Sequence, residues 1–261
     1  MMGVLRLIWM LLRIGVLVVR GLLTLRRFSM RTPQQRQDAI QEWSRRLLDA
    51  CRVQLAVEGE ILAPPALLAI NHVSWLDIIA LNAARPTRFV AKSDIDRWPL
   101  LGALARGAGT LFIERERPRD AMRVMHHMAD ALRQDEHVSV FPEGTTSDGR
   151  VILPLHANLF QAAVSADVPV QPVLLRYVTA TNGAYCRAPA YVGDETMLGT
   201  LWRMACSPPL QVRVAYLESV VMRDRRELSR AVQAALENAL MDGGARTQGP
   251  PAHLQSATRS P

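Results

Sequence analysis

The sequence predicts one α/β domain built on a mostly parallel or mixed central sheet flanked by helices, with a separate helix ahead of it. Three observations carry this expectation. Short apolar or alternating runs recur between segments of helical periodicity from residue 53 to residue 241, the pattern of strands joined through helices. Several of those runs end abruptly in polar clusters, as strands do where an open sheet presents its crevice. Residues 3–27 form a further, almost uninterrupted apolar stretch in front of the alternation.

That first stretch carries Arg6, Arg13, Arg20 and Arg27, one every seven residues. On an ideal helix this spacing drifts by only about 20° per step, so the guanidinia form one narrow stripe opposite a continuous apolar face that includes Trp9 and Met10. A cleaved leader fits poorly, because arginines interrupt the apolar run and no small-x-small site follows. Spanning a bilayer over residues 7–25 is nearly neutral: roughly 14 apolar residues at about −0.3 to −0.6 kcal/mol each almost cancel two arginines at about +3. Residues 1–30 are therefore expected to lie as a helix in the membrane interface, arginines among anionic headgroups, with a single span as the alternative.

Residues 31–241 form the expected main domain. The polar segment 29–37 contains Pro33 and predicts a short break. Ile40, Trp43, Leu47 and Cys51 then recur at helical spacing, predicting an amphipathic helix over 34–51. Alternation over 53–57 predicts a strand, which Ala63-Pro64-Pro65 separates from a buried one over 66–70. Beyond it the pattern predicts a helix after Ser74, a strand over 88–92, a helix around 95–106, a strand over 110–113 and a helix over 120–134. Strands over 137–141, 168–175 and 210–217 follow, with a helix near 159–165 and an amphipathic helix over 227–241. The tail over 242–261, rich in Gly, Pro, Ser and Gln, is expected to be disordered.

Composition narrows the partners. With 49% hydrophobic residues but only 5% aromatics, the core must be mostly aliphatic. A formal charge of +7 implies an anionic partner or surface. The arginines concentrate on an apolar helix and no basic patch is interleaved with aromatics, which favours lipid over nucleic acid. Cys51, Cys186 and Cys206 are odd in number and without Cys-x-x-Cys spacing, so they predict neither a disulfide framework nor a zinc site. His126-His127 lacks a third metal ligand in sequence.

The polar clusters carry the chemistry. In Asn71-His-Val-Ser-Trp-Leu-Asp77 an imidazole and a carboxylate follow a strand with four residues between them. Such a pair suits removal of a proton from an alcohol, while Ser74-x-x-Asp77 is equally a capping-box pattern at a helix start. A second cluster leaves Glu114 and Arg115 at the end of the 110–113 strand, within a charge run that could also be merely solvated. The third, Phe141-Pro-Glu-Gly-Thr-Thr-Ser147, sets Glu143, Gly144 and Thr145 after another strand; Pro142 and Gly144 suit a turn, and glycine beside hydroxyls also suits an anion. Lys92 closes its own strand. In a parallel sheet these ends converge on one edge. No Gly-x-Ser-x-Gly elbow, P-loop, Gly-x-Gly-x-x-Gly or His-Glu-x-x-His is present, and no cysteine neighbours a base in sequence, which leaves base-assisted transfer without a covalent enzyme intermediate.

Taken together, Asn-His-Val-Ser-Trp-Leu-Asp, Gly109-Thr-Leu-Phe-Ile-Glu-Arg115, Phe-Pro-Glu-Gly-Thr-Thr-Ser and Val168-Pro-Val-Gln-Pro-Val173 resemble the four ordered blocks of the glycerolipid acyltransferase family, closest to the bacterial 1-acyl-sn-glycerol-3-phosphate acyltransferases. The resemblance implies His72 as general base and Asp77 as its orienting partner. It implies Arg115 and Lys92 on the acceptor's phosphate, Glu143, Gly144 and Thr145 in the same pocket, and Pro172 on the acyl-donor side. It further implies acyl transfer from acyl-CoA or an acyl carrier protein thioester to a lysolipid, no cofactor or metal, and a place on the cytoplasmic face of a bacterial inner membrane. One position departs: Thr146 stands where the family's third block often has arginine, a bidentate phosphate donor. The block without that arginine also resembles the lyso-ornithine lipid acyltransferases.

Overall fold

The computed structural model describes residues 2–92, 96, 100–113 and 118–246. Among them seven strands form one sheet: β1 (Val53–Glu58), β2 (Ala66–Ile70), β3 (Arg88–Lys92), β4 (Leu111–Ile113), β5 (His137–Val140), β6 (Val170–Thr179) and β7 (Leu210–Tyr216). The α-helices among the described residues are α1 (Met2–Leu25), α2 (Pro33–Ala50), α3 (Leu76–Ala84), α4 (Leu101–Gly107), α5 (Pro118–Arg133), α6 (Gln161–Ala166), α7 (Met197–Cys206) and α8 (Arg225–Arg246). Sheet order is β1-β7-β6-β2-β5-β3-β4. The run β6-β2-β5-β3-β4 is parallel throughout, whereas β7 pairs antiparallel with β6 and carries β1 parallel to itself. The sheet is thus mixed, and the carboxyl ends of β2, β3, β4, β5 and β6 share one edge.

Central strands owe their place to two apolar faces. In β2 all five residues are buried, and alternate ones serve opposite layers. Leu68 and Ile70 pack with Val173, Leu175 and residues of α1, α2, α3 and α7, while Leu67 and Ala69 pack with Val170, Leu174 and residues of α5, α6 and α8.

The N-terminal helix is long and apolar enough to cross a membrane. It is also docked along the body. Met10, Leu17 and Gly21 are buried, and the Trp43 indole N–H donates to the Leu17 carbonyl at 2.8 Å. Leu5, Ile8, Trp9, Leu12, Val16, Val19 and Leu23 remain exposed. The arginine stripe divides: Arg20 and Arg27 are exposed, but Arg13 is half-buried in an ion pair with Asp49 of α2. Arg13 thus serves the body and not, as the spacing alone implied, a headgroup layer.

Three boundaries differ from expectation for physical reasons. Helix α2 begins at Pro33 inside the expected break, because Thr32 accepts from the Gln35 N–H and Gln35 answers the Thr32 N–H, a complete capping box with proline at the first turn. Helix α7 follows Thr196, whose hydroxyl accepts from the Gly199 N–H, and has no counterpart in the sequence expectation. Helix α8 continues to Arg246, five residues into the tail expected to be disordered, with Gly243 lying where a side chain would strike the Arg176 guanidinium. The remaining tail, 247–261, lies outside the described residues.

Candidate active site

Strand β2 ends at Ile70, and the next seven residues form a tight corner into α3. The Asp77 carboxylate organises it. Its Oδ2 accepts the Val73 N–H at 2.7 Å and the Ser74 N–H at 2.9 Å, and lies 2.8 Å from His72 Nδ1. An oxygen already accepting two amide protons is an acceptor, so Nδ1 carries the proton and Nε2 keeps its lone pair. Ser74 Oγ accepts the Leu76 N–H at 3.3 Å instead of completing a capping box with Asp77. Helix-start and dyad readings therefore coincide: one carboxylate meets the corner's amides and holds the imidazole. Asp77 has no exposure, whereas the His72 side chain is 21% exposed. A buried, ionised acceptor behind a partly open imidazole is the arrangement of a general base.

The loop after β5 closes on this corner. Glu143 is buried and uses both oxygens on backbone: Oε1 accepts the His72 N–H at 2.8 Å, and Oε2 the Leu153 N–H at 3.0 Å. Burial pushes its carboxyl above the ordinary range, against the pull of those two amides. The Ser147 N–H returns to the His72 carbonyl at 2.8 Å. Phe141 stacks on the His72 ring, centroids 4.0 Å apart and planes within 18°, so the imidazole is fixed by its edge and by one face. Gly144 turns the chain at φ +71°, a conformation glycine adopts without strain, and its N–H donates to the Phe141 carbonyl. Thr145 is exposed beside it. The Thr146 hydroxyl donates to the Tyr191 carbonyl, and the Tyr191 N–H to the Val73 carbonyl at 2.9 Å. Thr146 thus ties the corner to the loop before α7.

Lys92 ends β3 and Ile113 ends β4 on the same sheet edge. Strand β4 is three strand positions from β2, about 14 Å at the usual spacing. Arg115, the expected phosphate contact, lies outside the described residues. Pro172 sits within β6 opposite Ala69, buried in the sheet.

Two further side chains belong to the site without having been singled out by sequence. Asn71 accepts the Leu175 N–H at 2.7 Å and donates to the Leu175 carbonyl at 3.0 Å, extending the β2–β6 ladder past its last strand pair. Tyr177, two residues further along β6, donates its hydroxyl to Asp77 Oδ1 at 2.8 Å. Asn71 heads the first cluster and was open to notice; Tyr177 lies a hundred residues from its partner in sequence. Beside the corner a cavity of about 280 Å³ opens between Val73, Asp148, Arg150, Arg176, Tyr177, Tyr185 and Leu240.

An imidazole set against a buried carboxylate, on the carboxyl edge of an α/β sheet, is an arrangement suited to general-base chemistry. Comparison supplies the reaction. A family model described as acyltransferase matches residues 28–176. A 1-acyl-sn-glycerol-3-phosphate acyltransferase of Neisseria meningitidis is 35% identical over 215 residues, 80% of this chain and 84% of its own. A lyso-ornithine lipid O-acyltransferase of Pseudomonas aeruginosa is 36% identical over 215 residues, 82% of each chain. In fold, the chain is similar to the crystal structure of the 1-acyl-sn-glycerophosphate (LPA) acyltransferase PlsC from Thermotoga maritima. That match has a TM-score of 0.71 at 20% identity and covers 94% of this chain and 97% of the other. The chain belongs to the acyltransferase family.

Proposed function

We propose that this acyltransferase moves a fatty acyl group from a thioester to the free hydroxyl of 1-acyl-sn-glycerol-3-phosphate, giving phosphatidic acid at a membrane surface. The observation that carries the reading is the 2.8 Å contact between His72 Nδ1 and the fully buried Asp77 carboxylate. His72 Nε2 takes the acceptor's hydroxyl proton as its oxygen bonds to the thioester carbonyl carbon. The carbon–sulfur bond then breaks, and the departing thiolate recovers the proton from the imidazolium. Neither an acyl-enzyme nor a metal is needed, because a thiolate leaves readily. Acyl-CoA and acyl carrier protein both supply such a thioester. Lys92, which ends β3, and Arg115, outside the described residues, would meet the acceptor's phosphate, and Glu143 would hold the loop that carries Gly144 and Thr145.

We place the protein on the cytoplasmic face of the inner membrane; the seating of α1 on the body favours a position in the interface over a single span. Its polar ties to the body, Arg13–Asp49 and Trp43–Leu17, fall along its middle, where a spanning helix would have to carry α2 into hydrocarbon.

The test is purified protein with labelled acyl-CoA and lysophosphatidate, alongside His72→Ala. The variant should keep its fold and lose transfer by about 10²–10⁴-fold, the usual worth of general-base help. A folded variant at near wild-type rate overturns the reading.

A second acceptor, a lyso-ornithine lipid, is favoured by one observation. The Thr146 hydroxyl is spent on the Tyr191 carbonyl and offers nothing to a phosphate, while the neighbouring cavity presents the Asp148 carboxylate beside Arg150 and Arg176, charges suited to a zwitterionic headgroup. Mass of product from a panel of lysolipids decides between them.

A further inference from the structure

Asp77 has two oxygens, and the pairing with His72 uses one. Oδ2 accepts the imidazole N–H and two backbone amides. The hydrogen bond found on Oδ1 comes from the Tyr177 hydroxyl, 2.8 Å away, reaching in from β6. Both side chains are shut off from solvent, Asp77 at 0% and Tyr177 at 3% exposure. We propose that Tyr177 is a positioning residue for the dyad, its hydroxyl holding the second oxygen of Asp77 and keeping that carboxylate ionised while His72 carries the proton. The proposal rests on the reading of His72 as general base.

The physical case starts from burial. An ionised carboxylate out of water is tolerated only when its lone pairs are met. It must also stay ionised through turnover, since its charge is what stabilises the imidazolium. Three donors crowd Oδ2, whereas Oδ1 takes its donor from Tyr177, whose ring packs in the apolar cluster with Cys51, Leu76 and Leu175; without the phenol that hydrogen bond is lost. A bare oxygen there raises the proton affinity of the whole pair, and the base arrives protonated at a pH where it should be free. Tyrosine suits the task because burial and the Asp77 charge both hold its phenol well above the ordinary range, so it stays a neutral donor.

Its placement is built in. The β2–β6 pairing ends at Ile70 and Val173, and Asn71 then grips both backbone groups of Leu175. Two residues on, and on the same face of the strand, stands Tyr177. The residue before the base thereby fixes the strand that carries the donor. Among the described residues, Glu143, from the loop after β5, faces the dyad, and Cys51, from the end of α2, faces Tyr177, its thiol pushed up to about 12 by burial. Both are common to wild type and variant, so they cancel in a comparison.

The experiment measures kcat and KM against pH for the full-length protein with an acyl thioester and lysophosphatidate. Tyr177→Phe should lower kcat about 10-fold, leave KM for the acceptor unchanged, and move the acid limb of the rate profile up by about one pH unit, as loss of a hydrogen bond to a charged group requires. In parallel, 3-fluorotyrosine and 3,5-difluorotyrosine at position 177 keep the shape and strengthen the donor. Their acid limbs should move down in order of phenol acidity, a result independent of whether the Phe variant folds. An unmoved limb in the fluorotyrosine series, or a folded Tyr177→Phe with lowered rate but an unshifted limb, overturns the proposal. Should His72→Ala keep its activity, the dyad itself is wrong; should it be inactive while the Tyr177 variants match wild type, Tyr177 alone is.

Discussion

At the scale of the residue, the site depends on what Asp77 accepts. Asparagine has nearly the same volume, and its carbonyl oxygen can take the place of Oδ2 while its amide donates to the Tyr177 oxygen. Asp77→Asn should therefore fold and keep the imidazole tautomer, yet lose the charge that stabilises imidazolium. We expect kcat to fall about 10²-fold, within the range of general-base contributions, with little change in thermal midpoint. Asp77→Ala differs, because the Val73 and Ser74 amides and the Tyr177 hydroxyl all lose their acceptor; stability should fall by about 3 kcal/mol or more in denaturant unfolding. Glu143 offers a check by pH. Burial raises its carboxyl pKa, so the fold favours the protonated form. Its stabilisation is complete below the unfolded value near 4.5 and declines as pH rises through the higher folded value. The stability difference between wild type and Glu143→Gln should fall over that window and then stay level towards neutrality. A flat difference from pH 4 upward would contradict it.

At the scale of the element, small residues decide how helices meet. A side chain at Gly21 would collide with the Trp43 indole and Leu104, so α1 can lie against α2 and α4 only with glycine there. Gly21→Leu should cost about 1–3 kcal/mol of stability, read as a lowered thermal midpoint, while the equally sized change at Gly15, where space is open, should not. This contact also shows the reach of sequence. Strands β2, β3 and β5 and helices α2 and α5 were legible because apolar periodicity is a local property of the chain. Which cluster meets which was legible only in part. The corner at His72 and the loop at Glu143 follow adjacent parallel strands, so topology brought them together as expected. Phe141 against the imidazole and Tyr177 beneath Asp77 rest on tertiary packing that no local pattern encodes. Helix α7 was missed because it is only ten residues long and carries a glycine at its third position, although Thr196 signals its start and Thr200, Leu201, Met204 and Ala205 share its buried face.

At the scale of the whole molecule, one helix faces two ways. Met10 and Leu17 are buried in the body, whereas Leu5, Leu12 and Val16 are at least half exposed. Replacing those three by serine leaves the docked face alone and removes about 1.5–3 kcal/mol of possible burial per side chain. The triple variant should therefore fold and leave the vesicle pellet for the supernatant in sedimentation assays at low salt. Persistent pelleting would place membrane binding elsewhere.

Because α1 packs lengthwise against α2, α4 and α7, with Arg13 paired to Asp49, it moves with the body as one piece. On the proposed reading, with α1 in the membrane interface and His72 as the base, the imidazole rides at a constant height above the acyl tails, like a tool on a fixed keel. Looser lipid packing, which lets the keel settle deeper, should change turnover, and flexible residues inserted after Arg31 should leave that dependence in place, because packing along the helix sets the height and the connection does not.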